Sequence, residues 1–156
     1  MDNHIKTGID CIGVSTSFYC HDGKGKWLLH KRSNNCRDEK GVWDCGGGKL
    51  EFGLTLEENV LKEIQEEYGC GAKIEQQLPA ITLLRESPEG IKTHWIIVPF
   101  ILFIDEIEAK KVKIGDGEKM AELGWFTFDT LPRPLHSGFQ KTTKLYKSLF
   151  KKYSLT

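Results

Sequence analysis

Three glutamates, Glu63, Glu66 and Glu67, crowd one short stretch of residues 54–70, LTLEENVLKEIQEEYGC. On a helix turning about 100° per residue, Val60, Leu61, Ile64 and Tyr68 cover one arc. The three carboxylates fall along its margin, with Glu67 nearest Val60, while Glu58, Lys62 and Gln65 take the more exposed side. Like charges three and four residues apart repel by about 0.2–0.5 kcal/mol per pair. Lys62 relieves part of this by pairing with Glu58 or Glu66, each four residues away, and it cannot neutralise all three. A hard divalent cation can, because Mg²⁺ takes carboxylate oxygens together with water and phosphate oxygens. The same spacing also allows a solvated acidic face.

Directly upstream stands Gly46-Gly47-Gly48. Successive glycines let a backbone approach a ligand closely, and their carbonyls and amides can face a metal or a phosphate. The run lacks the G-K-[ST] ending of a phosphate loop and the G-x-G-x-x-G spacing of a dinucleotide site, so a flexible loop is the alternative.

These groups need elements to hold them. Thr55 to Tyr68 is the clearest helix, with Thr55 as N-cap, Glu57 and Glu58 in its first turn and Gly69 to end it. Residues 9–20 and 26–32 read as strands joined by the turn His21-Asp22-Gly23-Lys24-Gly25. Residues 33–42 read as a polar loop, and 43–53 as a glycine-dense loop followed by a short strand. Long strands are expected over 72–87 and 91–105, around the turn Ser87-Pro88-Glu89-Gly90. A polar stretch, 108–122, precedes a strand at 124–128; then come a proline-stiffened connector and a helix over 138–153, with Leu145, Leu149, Phe150 and Tyr153 on its apolar side. The sum is one mixed α/β domain over residues 1–156, built mostly of antiparallel hairpins.

Composition supports a single packed core. The 156 residues are 39% hydrophobic, and 22 basic side chains balance 22 acidic ones, which argues against disorder, nucleic-acid binding and a membrane surface. The longest apolar stretch, 95–104, is about half of the roughly 20 residues a membrane helix needs, and Pro99 interrupts it. The start MDNHIKTGID lacks the basic and apolar runs of a secretory leader. Five scattered cysteines with no C-x-x-C pair predict reduced thiols and a cytoplasmic setting. The five lysines of 137–156 fit a helix docked on the domain with its charges in water.

Residues 46–70, GGGKLEFGLTLEENVLKEIQEEYGC, resemble the Nudix box, G-x5-E-x7-R-E-U-x-E-E-x-G-U with U a bulky aliphatic residue. Gly48, Glu63, Ile64, Glu66, Glu67 and Gly69 match; Leu54 stands where the first Glu is expected, Lys62 replaces the Arg, and Cys70 replaces the last aliphatic residue. The resemblance implies an α/β/α sandwich with a mixed, mostly antiparallel sheet and a loop-helix-loop metal site. It implies Mg²⁺, or Mn²⁺, bound by Glu63, Glu66, Glu67 and the Gly47 carbonyl, with one of the glutamates activating water. Lys49 would then touch substrate phosphate. Glu118 and Glu122 are candidates for the further acid that many relatives recruit after the box. In the family the missing Glu and Arg pair with each other, and losing both partners strands no charge. Activity is therefore expected to survive, with the carboxylates held less rigidly by Lys than by a planar guanidinium.

Arg32, at the end of KWLLHKR, is a phosphate-binding or salt-bridging candidate. Trp95, Trp27 and Trp43 offer base stacking or core packing. The expected activity is Mg²⁺-dependent hydrolysis of a phosphoanhydride in a nucleoside diphosphate derivative or a nucleoside triphosphate, on a small nucleotide and away from membrane and nucleic acid. Monomer and homodimer both stay open. Relatives acting on ADP-ribose tend to carry a proline about fifteen residues after the box. The neighbourhood of Arg85 lacks one, Pro79 comes too early, and the S-Q-P-W-P-F motif of NADH-cleaving relatives is absent. The rival readings are a silent nucleotide-binding module on the same fold and a pyrophosphohydrolase of RNA 5′ ends.

Overall fold

The computed structural model describes residues 4–155. The first expected hairpin is present as β1 (Gly13–His21) and β2 (Lys26–Arg32), antiparallel with Cys20 opposite Leu28. Its turn is drawn tight by Asp22, whose Oδ1 accepts from the backbone N–H groups of Lys24 (2.7 Å) and Lys26 (3.0 Å). β3 (Trp43–Asp44) pairs with β2, and β4 (Gly46–Lys49) pairs with β1. The glycine run is therefore a strand, not a loop, and residues 50–53, expected as strand, form the turn into α1 (Leu56–Tyr68).

α1 starts with a reciprocal cap. The Glu58 backbone N–H donates to Thr55 Oγ1 (3.1 Å), and the Thr55 N–H donates to Glu58 Oε2 (2.8 Å). Gly69 closes the helix at φ 67°. Val60, Ile64 and Tyr68 are buried as their spacing predicts, whereas Leu61 is 40% exposed and Asn59 takes its place inside. Asn59 is buried without penalty because both ends of its amide are used. Its Nδ2 donates to Thr16 Oγ1 (2.9 Å), and its Oδ1 accepts from the Glu51 N–H (3.0 Å).

The expected strand 72–87 is two, β5 (Lys73–Gln77) and β6 (Ile81–Glu86), separated at Pro79, which has no N–H to give a ladder. Both pair antiparallel with β7 (Lys92–Phe103), which runs parallel to β1 at the centre of the sheet. A short helix, α2 (Glu106–Ala109), occupies the start of the polar stretch, capped by Asp105. β8 (Met120–Thr127) begins earlier than the expected 124 and pairs with β2. The C-terminal helix is broken at Tyr146 (φ −112°, ψ 28°) into α3 (Ser137–Leu145) and α4 (Lys147–Ser154), which leaves Leu145 exposed.

The eight strands form one mixed, mostly antiparallel sheet in the order β3-β2-β1-β7-β5, with β4, β6 and β8 joined to β1, β7 and β2. Alternation along β1 and β7 sends residues to opposite faces. Phe18, Cys20, Phe100 and Leu102 pack with Val60, Ile64 and Tyr68 of α1, and Tyr19 and Ile101 pack with Phe139 and Phe150 of α3 and α4. Helices thus cover both faces, as the α/β/α expectation requires. Fully burying such a side chain contributes about 1.5–3 kcal/mol, so α1 is fixed to the sheet along its whole inner face. The cysteines are all free thiols, and among the described residues no helix is long and apolar enough to cross a membrane.

Candidate active site

α1 and β4 set the site between them. Each glycine of β4 is required by what stands against it. A methyl group on Gly46 would overlap the Phe18 ring and lie 2.7 Å from Glu67 Oε2; on Gly47 it would lie 2.5 Å from the Thr16 carbonyl oxygen; on Gly48 it would overlap the Glu63 carboxylate. Two of the three glutamates therefore lie directly against the glycine strand.

Glu67 is partly buried, with its carboxyl end turned inward so that Oε2 accepts from the Gly47 N–H at 3.0 Å. Desolvation of that end pushes the carboxyl up to about 8, against the lowering effect of the N–H. Glu63 is half-buried and is also raised, by burial first and by the charge of Glu66 second. Glu66 points elsewhere. Lys62 Nζ holds Glu66 Oε1 at 2.6 Å and Glu51 Oε1 at 2.7 Å, and these two carboxylates, Glu51 foremost, raise the lysine. Of the two expected partners of Lys62, Glu58 is taken by the helix cap. Glu51, which the sequence spacing did not suggest, supplies the acid that Leu54 lacks.

Among the described residues no three His, Cys, Asp or Glu side chains are already gathered round one point. The donor set nevertheless fits a hard divalent cation. Two like-charged carboxylates, one half-buried and one turned inward, are both raised chiefly by burial, beside a strand of backbone carbonyls. Glu66 would complete them on leaving Lys62.

Glu67 and the glycine strand open onto a cleft of about 600 Å³, lined also by Lys49, Arg32 and Trp95. Trp95 packs over the N-terminal segment, where a methyl on Gly13 would lie 2.5 Å from its indole. Arg32 is fully engaged within the protein: its Nη2 donates to Asp38 Oδ1 and to the Asp38 carbonyl (both 3.0 Å), its Nε to the Glu39 carbonyl (3.1 Å), and its Nη1 stands 3.6 Å from Asp44 Oδ2. Arg32 thus lines the cleft with its guanidinium shared between Asp38 and Asp44, the salt-bridging arrangement that the sequence also allowed. Neither Glu118 nor Glu122 lines the cleft. Glu122 faces Lys31 across β2 at 3.5 Å, and Asp116 and Lys119 of the same region line the cleft instead. Trp27 is buried with its Nε1 donating to Ser154 Oγ (2.8 Å), and Trp43 meets Phe126 edge-on at 5.0 Å, so both serve packing.

A second polar cluster on the cleft wall has no counterpart in the sequence pattern. Glu39, at φ 44°, has its Oε2 accepting from His136 Nε2 (2.7 Å), Arg85 Nη1 (2.8 Å) and Ser137 Oγ (2.9 Å), and its Oε1 from the Ser137 N–H (2.8 Å). These partners hold a non-glycine residue in the left-handed region. They are distant in sequence, so no local pattern could announce them.

The Glu67 shift has a measurable consequence. Between about 4.5, where an unfolded glutamate ionises, and about 8, the folded protein holds the extra proton. Stability of the metal-free protein should therefore fall as pH rises through that window, by an amount on the order of a few kcal/mol, and level off above it. Glu67→Gln should flatten this slope. Thermal unfolding in chelator across pH 5–9 (roughly that window) checks it, and an unchanged slope in the variant would contradict the burial argument.

A β-sheet between helices, with a carboxylate helix docked on a glycine strand, defines a Nudix-type architecture. The pattern of the NUDIX domain family matches residues 12–147, and the chain belongs to that family. An ADP-ribose pyrophosphatase of Methanocaldococcus jannaschii is 37% identical over 108 residues, a match covering 69% of this chain and 58% of that protein, so the chain spans less than two thirds of that relative. Among solved structures, a MutT NUDIX hydrolase from Burkholderia pseudomallei superposes with a TM-score of 0.73 at 24% identity, covering 85% of this chain and 96% of that one. The NUDIX domain of Shewanella oneidensis NrtR, solved with ADP ribose, gives 0.66 at 20% identity, covering 96% and 92%.

Proposed function

We propose that the protein hydrolyses the phosphoanhydride of a small nucleotide with a divalent cation, and that nucleoside diphosphate derivatives of the ADP-ribose kind are its substrates. The observation that carries this is the pair Glu63 and Glu67, packed against three successive glycines, with Glu67 opening onto a nucleotide-sized cleft. The pyrophosphatase of M. jannaschii supports the substrate class. The missing proline near Arg85 leaves nucleoside triphosphates as the competing class.

Glu63, Glu66, Glu67 and the Gly47 carbonyl would hold Mg²⁺ or Mn²⁺, which when bound polarises phosphate and acidifies water. Glu67, which lines the cleft with its carboxyl held by the Gly47 N–H, is the residue placed to accept a proton from the attacking water. Lys49 lines the cleft as a point charge for phosphate oxygens, and Trp95 presents an aromatic face for a base. Lys62, paired also with Glu51, holds the Glu66 carboxylate that would complete the ligand set.

The test is a nucleotide panel with Mg²⁺ and with Mn²⁺, with products read by phosphorus NMR. Cleavage of ADP-ribose to two monophosphates is the expected result. Release of pyrophosphate from triphosphates would move the substrate class. Tight binding with no cleavage would replace the hydrolase by a silent nucleotide-binding module, and preferential attack on triphosphorylated RNA would make it an end-processing enzyme.

A further inference from the structure

The segment joining α2 to β8 is tied to the helix that carries the carboxylates. The Lys113 N–H donates to the Tyr68 carbonyl (3.0 Å) and the Gly115 N–H to the Glu67 carbonyl (2.8 Å). Gly115 lies so close that a methyl there would overlap the Glu66 carbonyl oxygen. At the far end of the segment the Lys119 carbonyl accepts from the Ser33 N–H (2.8 Å) and from Cys36 Sγ (3.3 Å). The Lys119 N–H is held by Asp116, donating to its carbonyl (3.2 Å) and lying 3.3 Å from its Oδ1. The backbone of Lys119 is thus fixed relative to both Glu67 and β2.

Its side chain lines the same cleft as Glu67 and Lys49, and it is 74% exposed. Asp116 Oδ2 stands 4.0 Å from its Nζ, too far for a hydrogen bond, so the ammonium keeps its donors for another partner. Its charge reaches both Glu63 and Glu67 and slightly opposes the rise that burial imposes on them. The lysine therefore sits on a loop fastened at both ends, on the wall of the cleft onto which Glu67 opens.

We propose that Lys119 is a substrate-binding residue, holding non-bridging oxygens of the nucleotide's pyrophosphate in the cleft and serving Glu63 and Glu67 as a counter-charge when the cleft holds no nucleotide. The proposal rests on the nucleotide-hydrolase reading for the identity of the ligand. It is tested by binding, whether or not any nucleotide is turned over, so a failure of one need not be a failure of the other.

The experiment compares wild type, Lys119→Met and Lys119→Arg. Calorimetry measures affinity for methylene-bridged analogues of ADP-ribose and ATP, and electron paramagnetic resonance measures Mn²⁺ binding without nucleotide. Lys119→Met should weaken analogue binding about tenfold, the loss of one charge-assisted contact, and Lys119→Arg should restore most of it. Mn²⁺ alone should bind Lys119→Met more tightly, by about twofold, because a neighbouring positive charge is gone and salt screens the rest. If the panel identifies a substrate, KM should rise with kcat changed less than about threefold. Two outcomes would overturn the proposal: unchanged analogue affinity in Lys119→Met, or equal losses of nucleotide and Mn²⁺ binding in both variants.

Discussion

Glu67→Gln is expected to lower turnover at least about 10²-fold, with Glu66→Gln doing the same, while the fold stays intact. The two losses have different origins. An amide in place of the Glu67 carboxylate keeps an oxygen to accept the Gly47 N–H and fills the same volume, so the geometry against β4 persists. What disappears is a negative charge and a base on the wall of the cleft. Glu66 is exposed and held by Lys62, so its replacement by an amide removes nothing from the core and takes away only the third carboxylate that an ion would recruit. Steady-state rates on whichever nucleotide the panel identifies, together with Mn²⁺ titrations, read both effects. Near-normal rates in both variants would reject the assignment of this site.

Gly115→Ala should give the second large effect, this time through the backbone. The added methyl would meet the carbonyl oxygen of Glu66, with the Glu67 carbonyl oxygen also close, and neither can move without pulling on the end of α1. Overpacking of this kind costs typically about 1–3 kcal/mol. Here the displaced atoms belong to the two site residues themselves, so activity should fall at least about tenfold beyond any loss of folded protein. Gly117→Ala is the control: a methyl there meets nothing within 4 Å, and its effect should stay within about 0.5 kcal/mol. Thermal unfolding and rates measured on the two variants separate them. Equal behaviour would mean that the segment after α2 is not fastened to the helix as described.

Much of this site could be read from residue order because its chemistry is local. α1 carries its own cap in Thr55 and Glu58, its own stop in Gly69 and its carboxylates at fixed spacing, so helix period alone set Glu63 and Glu67 beside the buried face, while Glu66 turns outward to Lys62. Polarity patterns failed where a polar side chain found partners inside. Asn59 is buried because Thr16 and Glu51 satisfy it, and Leu61 is turned out in exchange. Glycine content suggested a loop where there is a strand, because β4 is held by pairing with β1 and not by any propensity of its own. Pro79 and Tyr146 each divided an element that apolar spacing ran together. The roles of Arg32, Glu39 and Lys119 depend on segments far apart in the chain, and only the assembled sheet brings them to one cleft.

β4 has a consequence for how such a protein can change over time. Its three glycines present only main chain to the site, and each excludes even one added carbon. Natural variation therefore has nothing to adjust on that wall. Any drift toward a new preference must be written into the flanking loops and Trp95, leaving the reaction centre inherited whole.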